Sequence, residues 1–159
     1  MKRYLVISIL VISLIFFWNC ISFKGGYLLP SENQVESVHI CKKIDDSGDL
    51  LEPLDIRSEF TFKDDRVICF IRLKDIGTRI DLRWKWYSPD KKLVRDTGNI
   101  ILSQGDRYLA AATAYDMFQL NPENIAEGKW TVVIFMNDKF LGKKLFQISA
   151  PRLSFKSII

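Results

Sequence analysis

Histidine is nearly absent from this chain: His39 is the only one among 159 residues. A Ser-His-Asp or Cys-His mechanism would depend entirely on that side chain. It stands beside Ile40 in an apolar alternating stretch, and no nucleophile-elbow motif occurs anywhere, so a packed or surface histidine is the simpler account. A zinc site would need His39 with Cys41, whose single intervening residue is shorter than the roughly two-to-four-residue spacer of structural zinc sites. Phosphate-loop and other metal patterns are missing as well, so no cofactor is expected. Charge of one sign is also lacking. The formal net charge is +4, and Lys2 and Arg3 at the extreme N-terminus supply two of those charges, leaving +2. A nucleic-acid binder of this size carries a stronger basic bias, so nucleic acid is not an expected partner. What is present is a 48% hydrophobic and 13% aromatic composition, enough for one real core and not for two full domains.

Small residues are missing where ordinary signal peptidase would cut before Cys20. Met1-Lys2-Arg3 is followed by an apolar run from Tyr4 to Trp18, interrupted only by Ser8 and Ser13. A basic start and a short apolar stretch are the layout of a secretory signal. These 15 residues would form a helix of roughly 22 Å, short of a ~30 Å hydrocarbon layer. Continuation through Ile21, Ser22 and Phe23 would reach membrane-spanning length, so an uncleaved anchor is one alternative; cleavage after Ser22 with free secretion is another. A Cys closing an apolar run is what bacterial lipoprotein signals carry. Phe17-Trp18-Asn19-Cys20 departs from Leu-Ala-Gly-Cys at all three positions before the Cys and resembles the relaxed lipoboxes of spirochaetes. That resemblance implies a signal peptide over 1–19, lipidation of Cys20 and palmitate among its acyl chains. Each buried CH₂ contributes ~0.8 kcal/mol, so two or three chains hold a protein at a membrane where one is marginal. The expected location is the cell envelope, at the outer membrane or the periplasmic face of the inner membrane.

Residues 20–34, with Gly25-Gly26 and Pro30, read as a tether. From 35 to 150 the alternation is that of strands, and Pro151 opens a C-terminal tail over 151–159. Val67, Cys69, Ile71 and Leu73 share one face of a strand, as do Leu82, Trp84 and Trp86, and Trp130, Val132, Ile134 and Met136. Val35–Ile44, Arg57–Lys63, Leu93–Thr97, Asn99–Ser103 and Leu141–Ile148 are further candidates. Arg107–Phe118 is assigned as strand despite its Ala run, and Asn121–Asn124 as one short helical turn. Short strands at such spacing predict an all-β antiparallel sandwich of about seven strands.

Three segments carry a likeness to small Ig-like domains of uncharacterised function in bacterial envelope proteins. Leu82-Arg83-Trp84-Lys85-Trp86-Tyr87-Ser88-Pro89-Asp90 is similar to their strand followed by Pro-Asp-Gly-Lys. Gly128-Lys129-Trp130-Thr131-Val132 matches Gly-x-Trp-x-Val, and Phe146-Gln147-Ile148 matches the closing Phe-x-Val. The usual turn glycines are replaced: Lys91 follows Asp90, and Lys139 follows Asp138. The resemblance implies an Ig-like sandwich and no catalytic residue, since fold alone carries no function.

Four features remain as candidate sites. Cys41 and Cys69 are either a disulfide across two strands or two buried thiols. Asp45, Asp46, Gly48 and Asp49 form half a calcium-loop pattern, but the twelfth position is Ile56 rather than Glu; a solvated turn is expected. Arg72, Lys74, Arg83 and Lys85 would make a basic stripe for an anionic glycan or headgroup if their strands were adjacent. Ile68 and Phe70 lie on the outward face of their strand, where cover or a contact surface is expected. Together these lead to a lipid-anchored, non-catalytic binding domain with a protein or surface-polymer partner. A structural subunit of an envelope complex and, last, an envelope enzyme are the alternatives.

Overall fold

In the computed structural model the alternating segments become paired strands; residues 34–76, 79–103, 110–121, 123 and 125–150 are described. The signal segment, Cys20, nearly all of the tether and the tail 151–159 lie outside the described residues. Among the described residues no helix is long and apolar enough to cross a membrane.

Ten strands follow in order: β1 (Val35–Asp45), β2 (Glu52–Ile56), β3 (Glu59–Thr61), β4 (Arg66–Lys74), β5 (Arg79–Tyr87), β6 (Leu93–Asp96), β7 (Ile100–Ser103), β8 (Ala111–Gln119), β9 (Gly128–Met136) and β10 (Lys139–Ser149). Sheet A has the order β2-β1-β4-β8, and sheet B the order β3-β10-β9-β5-β6, with β7 also on β5. All pairings are antiparallel except β3 on β10, which is parallel. This is an Ig-like sandwich, in which β4 and β8 take the places of strands B and E, and β5, β9 and β10 those of C, F and G. The count exceeds seven for a physical reason. β2 is exposed at four of its five positions and shows no alternation to read, while β3, β6 and β7, each three or four residues long, fall on the candidate segments Arg57–Lys63, Leu93–Thr97 and Asn99–Ser103. The helical turn expected at Asn121–Asn124 falls partly on residues 122 and 124, which lie outside the described residues; Asn121 Oδ1 accepts the Glu123 N–H, an Asx turn.

One core lies between the sheets. Every residue of the three inward rows named above is buried, with Phe60, Phe118, Phe146 and Ile148 beside them. Trp86 stacks on Phe118 at 5.4 Å, Phe118 meets Trp130 at 5.2 Å, and Phe146 stands edge-on to Trp86 at 5.8 Å. Such rings bury ~150–250 Å² each, a gross ~4–6 kcal/mol apiece at ~25 cal/mol/Å².

The three segments that carry the Ig-like resemblance converge. Trp86 pairs with Val132 and Tyr87 with Thr131 between β5 and β9; Phe146 pairs with Trp130 and Ile148 with Gly128 between β10 and β9. A Cβ on Gly128 would lie 2.8 Å from Pro89 Cγ, and its φ of +132° belongs to glycine. The missing turn glycines leave a trace: Lys91 has φ +64°, and Asn137 and Asp138 have +50° and +61°, the signature of a two-residue type I′ hairpin in the latter pair.

Candidate functional site

The outer face of sheet A is half covered by its own chain. Ser47 N–H donates to Asp45 Oδ1 at 3.0 Å and turns the chain after β1; the Ser47 hydroxyl, and then this N–H, hold the Asp45 carboxyl below its usual range. Leu51 N–H then reaches Thr113 Oγ1 on β8 at 3.4 Å. Arg72 donates to Leu51 O at 3.2 Å, pairs with Glu52 and lies over the Phe70 ring at 6.0 Å. The result is a second small core of Cys41, Ile68 and Phe70 under Ile44, Leu51 and Met117.

Beside that cover runs a groove of about 490 Å³. Ile44, Leu51, Ile68 and Met117 give it apolar walls, and Lys42, Lys43, Asp46, Asp65, Arg66 and Tyr115 complete its lining. Most of the charges are engaged: Lys42 Nζ donates to Asp64 at 2.9 Å and Arg66 to Asp65 at 2.6 Å, while Lys43 and Tyr115 are exposed. The Arg66 hydrogen bond holds Asp65 below its usual range. The lining contains no serine, cysteine or histidine; its chemistry is apolar contact with an ionic margin, which suits binding. Sequence patterning alone passed over it. Thr113, Tyr115 and Met117 do alternate outward along β8, but their groove needs the turn folded over from β1.

Beneath the groove Asp64 is nearly buried and heavily partnered. Burial pushes its carboxyl upward, but Lys42, the Thr61 N–H and Arg57 outweigh this and hold it well below the ordinary 3.8. On the far side of the sandwich Asp116 of β8 points inward and accepts the Trp86 indole N–H at 2.6 Å and Arg95 at 2.9 and 3.2 Å.

The candidate residues fare differently. Cys41 and Cys69 are free. Cys41 pairs with Ile68 while Cys69 pairs with Ile40, so the two thiols project from opposite faces of sheet A and belong to different cores; the disulfide is excluded by register. Burial pushes the Cys41 thiol up to about 11 and that of Cys69 up to about 12, leaving both protonated and unreactive. The basic stripe is likewise overturned: Arg72 and Lys74 belong to sheet A, Arg83 and Lys85 to sheet B. Arg72 clamps Leu51, and Arg83 is bidentate to Asp96 at 2.7 and 2.5 Å, with Lys85 3.8 Å from the same carboxylate. Ile68 and Phe70, expected as contact residues, are 4% and 0% exposed beneath Leu51 and Met117. His39 is half-buried opposite Phe70, and among the described residues no three His, Cys, Asp or Glu side chains gather as a metal site. Cys20 lies outside the described residues.

No family model and no curated protein matches this chain. Solved structures match at low identity. An immunoglobulin-like protein from Pseudomonas aeruginosa is 14% identical, with 73% of this chain and 95% of that one covered and a TM-score of 0.38. An alkylpurine DNA glycosylase from Pseudomonas fluorescens, bound to DNA containing an abasic site analog, is 12% identical over 58% of this chain and 28% of its own, with a TM-score of 0.43. A β-glucosidase from Listeria innocua is 8% identical over 72% and 16%, with a TM-score of 0.45. The chain therefore spans a minor part of both enzymes. No activity is carried over from any of them.

Proposed function

We propose that this chain is a lipid-anchored envelope protein whose sandwich is a non-catalytic binding domain for another protein, engaged through the sheet A groove. The observation that carries this is the groove itself, in which Ile44, Leu51, Ile68 and Met117 are bordered by charged side chains and Tyr115 stands 42% exposed at its side. Tyr is favoured at such places because it offers a rigid ring and a hydroxyl at little entropic cost. The margin of engaged ion pairs around apolar walls is how a protein interface is commonly arranged. The assembly-subunit alternative loses the contacts it relied on, because Ile68 and Phe70 are internal. The lipid anchor is supported by the apolar leader and Cys20.

Two experiments test the two halves. Metabolic palmitate labelling with detergent-phase partitioning should label wild type and not Cys20→Ala; equal labelling of both would refute the anchor. A photo-crosslinking residue at position 115 should give a discrete heavier adduct in cells, and the same residue at position 145 on the opposite sheet should not. Monomer alone from position 115 would count against the groove.

A further inference from the structure

The outer face of sheet B is unlike that of sheet A. Phe140 is 63% and Leu145 48% exposed on β10, in register with Phe135 and Thr131 of β9. Phe135 and Phe140 meet edge to face at 6.3 Å, and Lys85 Nζ lies over the Phe135 ring at 5.3 Å. Leu93 and Ile101, 44% and 54% exposed, stand opposite Tyr87 and Asp81 on the same sheet. Of the lysines of β9 and β10, Lys129 and Lys143 lie on this face, in register with Gln147 and Val133, whereas Lys139 and Lys144 stand opposite the inward Met136 and Val132. Exposed aromatic and aliphatic side chains set among lysines match an anionic bilayer surface, which takes apolar tips into its headgroup boundary and attracts each lysine.

The N-terminus enters at the open side of the sandwich, where β1 of sheet A lies next to β10 of sheet B. β1 begins at Val35, and Val35 and Val38 line one cleft with Leu141, Gly142, Lys143 and Lys144. The chain that leads back to Cys20 therefore enters the domain beside the lysines of β10. Residues 21–34 span at most ~50 Å even when fully extended, so the domain is confined near whatever membrane holds Cys20, and weak surface affinity suffices.

We infer that the outer face of sheet B rests on anionic phospholipid headgroups of the membrane that carries the anchor, an inference that rests on the lipid anchor proposed above. Docked in this way, the domain turns the sheet A groove away from the bilayer. Phe140 and Leu145 sit at the headgroup boundary, and Lys129 and Lys143 face the lipid phosphates.

An environment-sensitive dye on Leu145→Cys reads this out in the full-length protein. Cys41 and Cys69 are fully buried, and an acylated Cys20 has no thiol, so the dye enters at position 145 alone. In vesicles of phosphatidylcholine with phosphatidylglycerol the emission should shift to the blue and be quenched by bromolipid. In phosphatidylcholine alone, or in high salt, it should not. Lys129→Glu with Lys143→Glu should lower the docked fraction by about tenfold or more, with far-UV circular dichroism unchanged, and a dye on Tyr115→Cys should stay in water. Acylated, vesicle-bound protein whose position-145 dye is blind to lipid charge would overturn the docking. Dye uptake by the otherwise wild-type chain would show a free Cys20 and sink the anchor; a charge-dependent shift at position 145 would then still support the docking face.

Discussion

Trp84 and Trp86 project from the same face of β5 and both are fully buried, yet their indole N–H groups meet different surroundings. Trp86 donates to the Asp116 carboxylate at 2.6 Å, a charge-assisted bond in a dry core. Trp84 Nε1 is buried without a partner of ordinary geometry; it lies beside the Cys69 sulfur and opposes the rise of that thiol, a use worth little energy. Replacement by Phe removes similar volume at both positions, so the cavity terms are alike. Trp86→Phe also leaves Asp116 one donor short, whereas Trp84→Phe removes an unsatisfied donor. Trp86→Phe should be the more destabilising by about 2 kcal/mol, read as the difference between urea midpoints at constant slope. Equal midpoints would mean that the Asp116 bond contributes nothing.

At the scale of strands and turns, Gly128 opens β9 with a φ of +132° and Pro89 against its α-carbon. Gly128→Ala should cost about 2 kcal/mol or more, from the strained φ and the Pro89 clash together. Lys91→Gly should do the reverse and stabilise by about 0.5–1 kcal/mol, the relief of a left-handed backbone less the extra freedom of glycine in the unfolded chain. Thermal melts of the two variants should therefore move in opposite directions. The inward rows of β4, β5 and β9 were legible from sequence because period-2 alternation and burial are the same fact for a strand with one face in a core. β8 was legible despite Ala111 and Ala112 through the alternation of Ala110, Ala112 and Ala114, and the structure extends the inward row to Asp116 and Phe118. β2 was not, because an exposed edge strand with Pro53 has no buried face to mark it. The site was less legible than the fold. Arg72 and Lys85 are both outward cations on strands, and nothing in their spacing tells that those strands lie in different sheets. Register also decides Cys41 and Cys69: a single-residue offset puts one thiol on each side of sheet A.

For the whole molecule the question is what keeps two sheets face to face at their open sides, where aromatic packing gives way to solvent. Each side has one buried aspartate. Asp64 collects Lys42 of β1, Arg57 at the crossing between sheets, and Thr61 of β3, so it links sheet A to sheet B. Asp116 of β8 in sheet A holds Trp86 of β5 and Arg95 of β6 in sheet B. The two share no partner. Because the folded-state carboxyl of Asp64 titrates well below its ordinary 3.8, its stabilisation is fully present above pH ~4 and is lost as the pH falls below that value toward the folded-state one. Asp64→Asn should cost about 1–3 kcal/mol at neutral pH and flatten the acid side of the stability profile, because the asparagine cannot titrate. Asp116→Asn should cost a similar amount. Combined, they should sum to within ~0.5 kcal/mol, whereas Asp116→Asn with Trp86→Phe should fall short of its sum, because those two residues form one bond. Denaturant unfolding of the four variants at neutral and acid pH measures all of this. A strongly non-additive Asp64–Asp116 pair would mean that the two sides of the sandwich open as one event rather than each being held on its own.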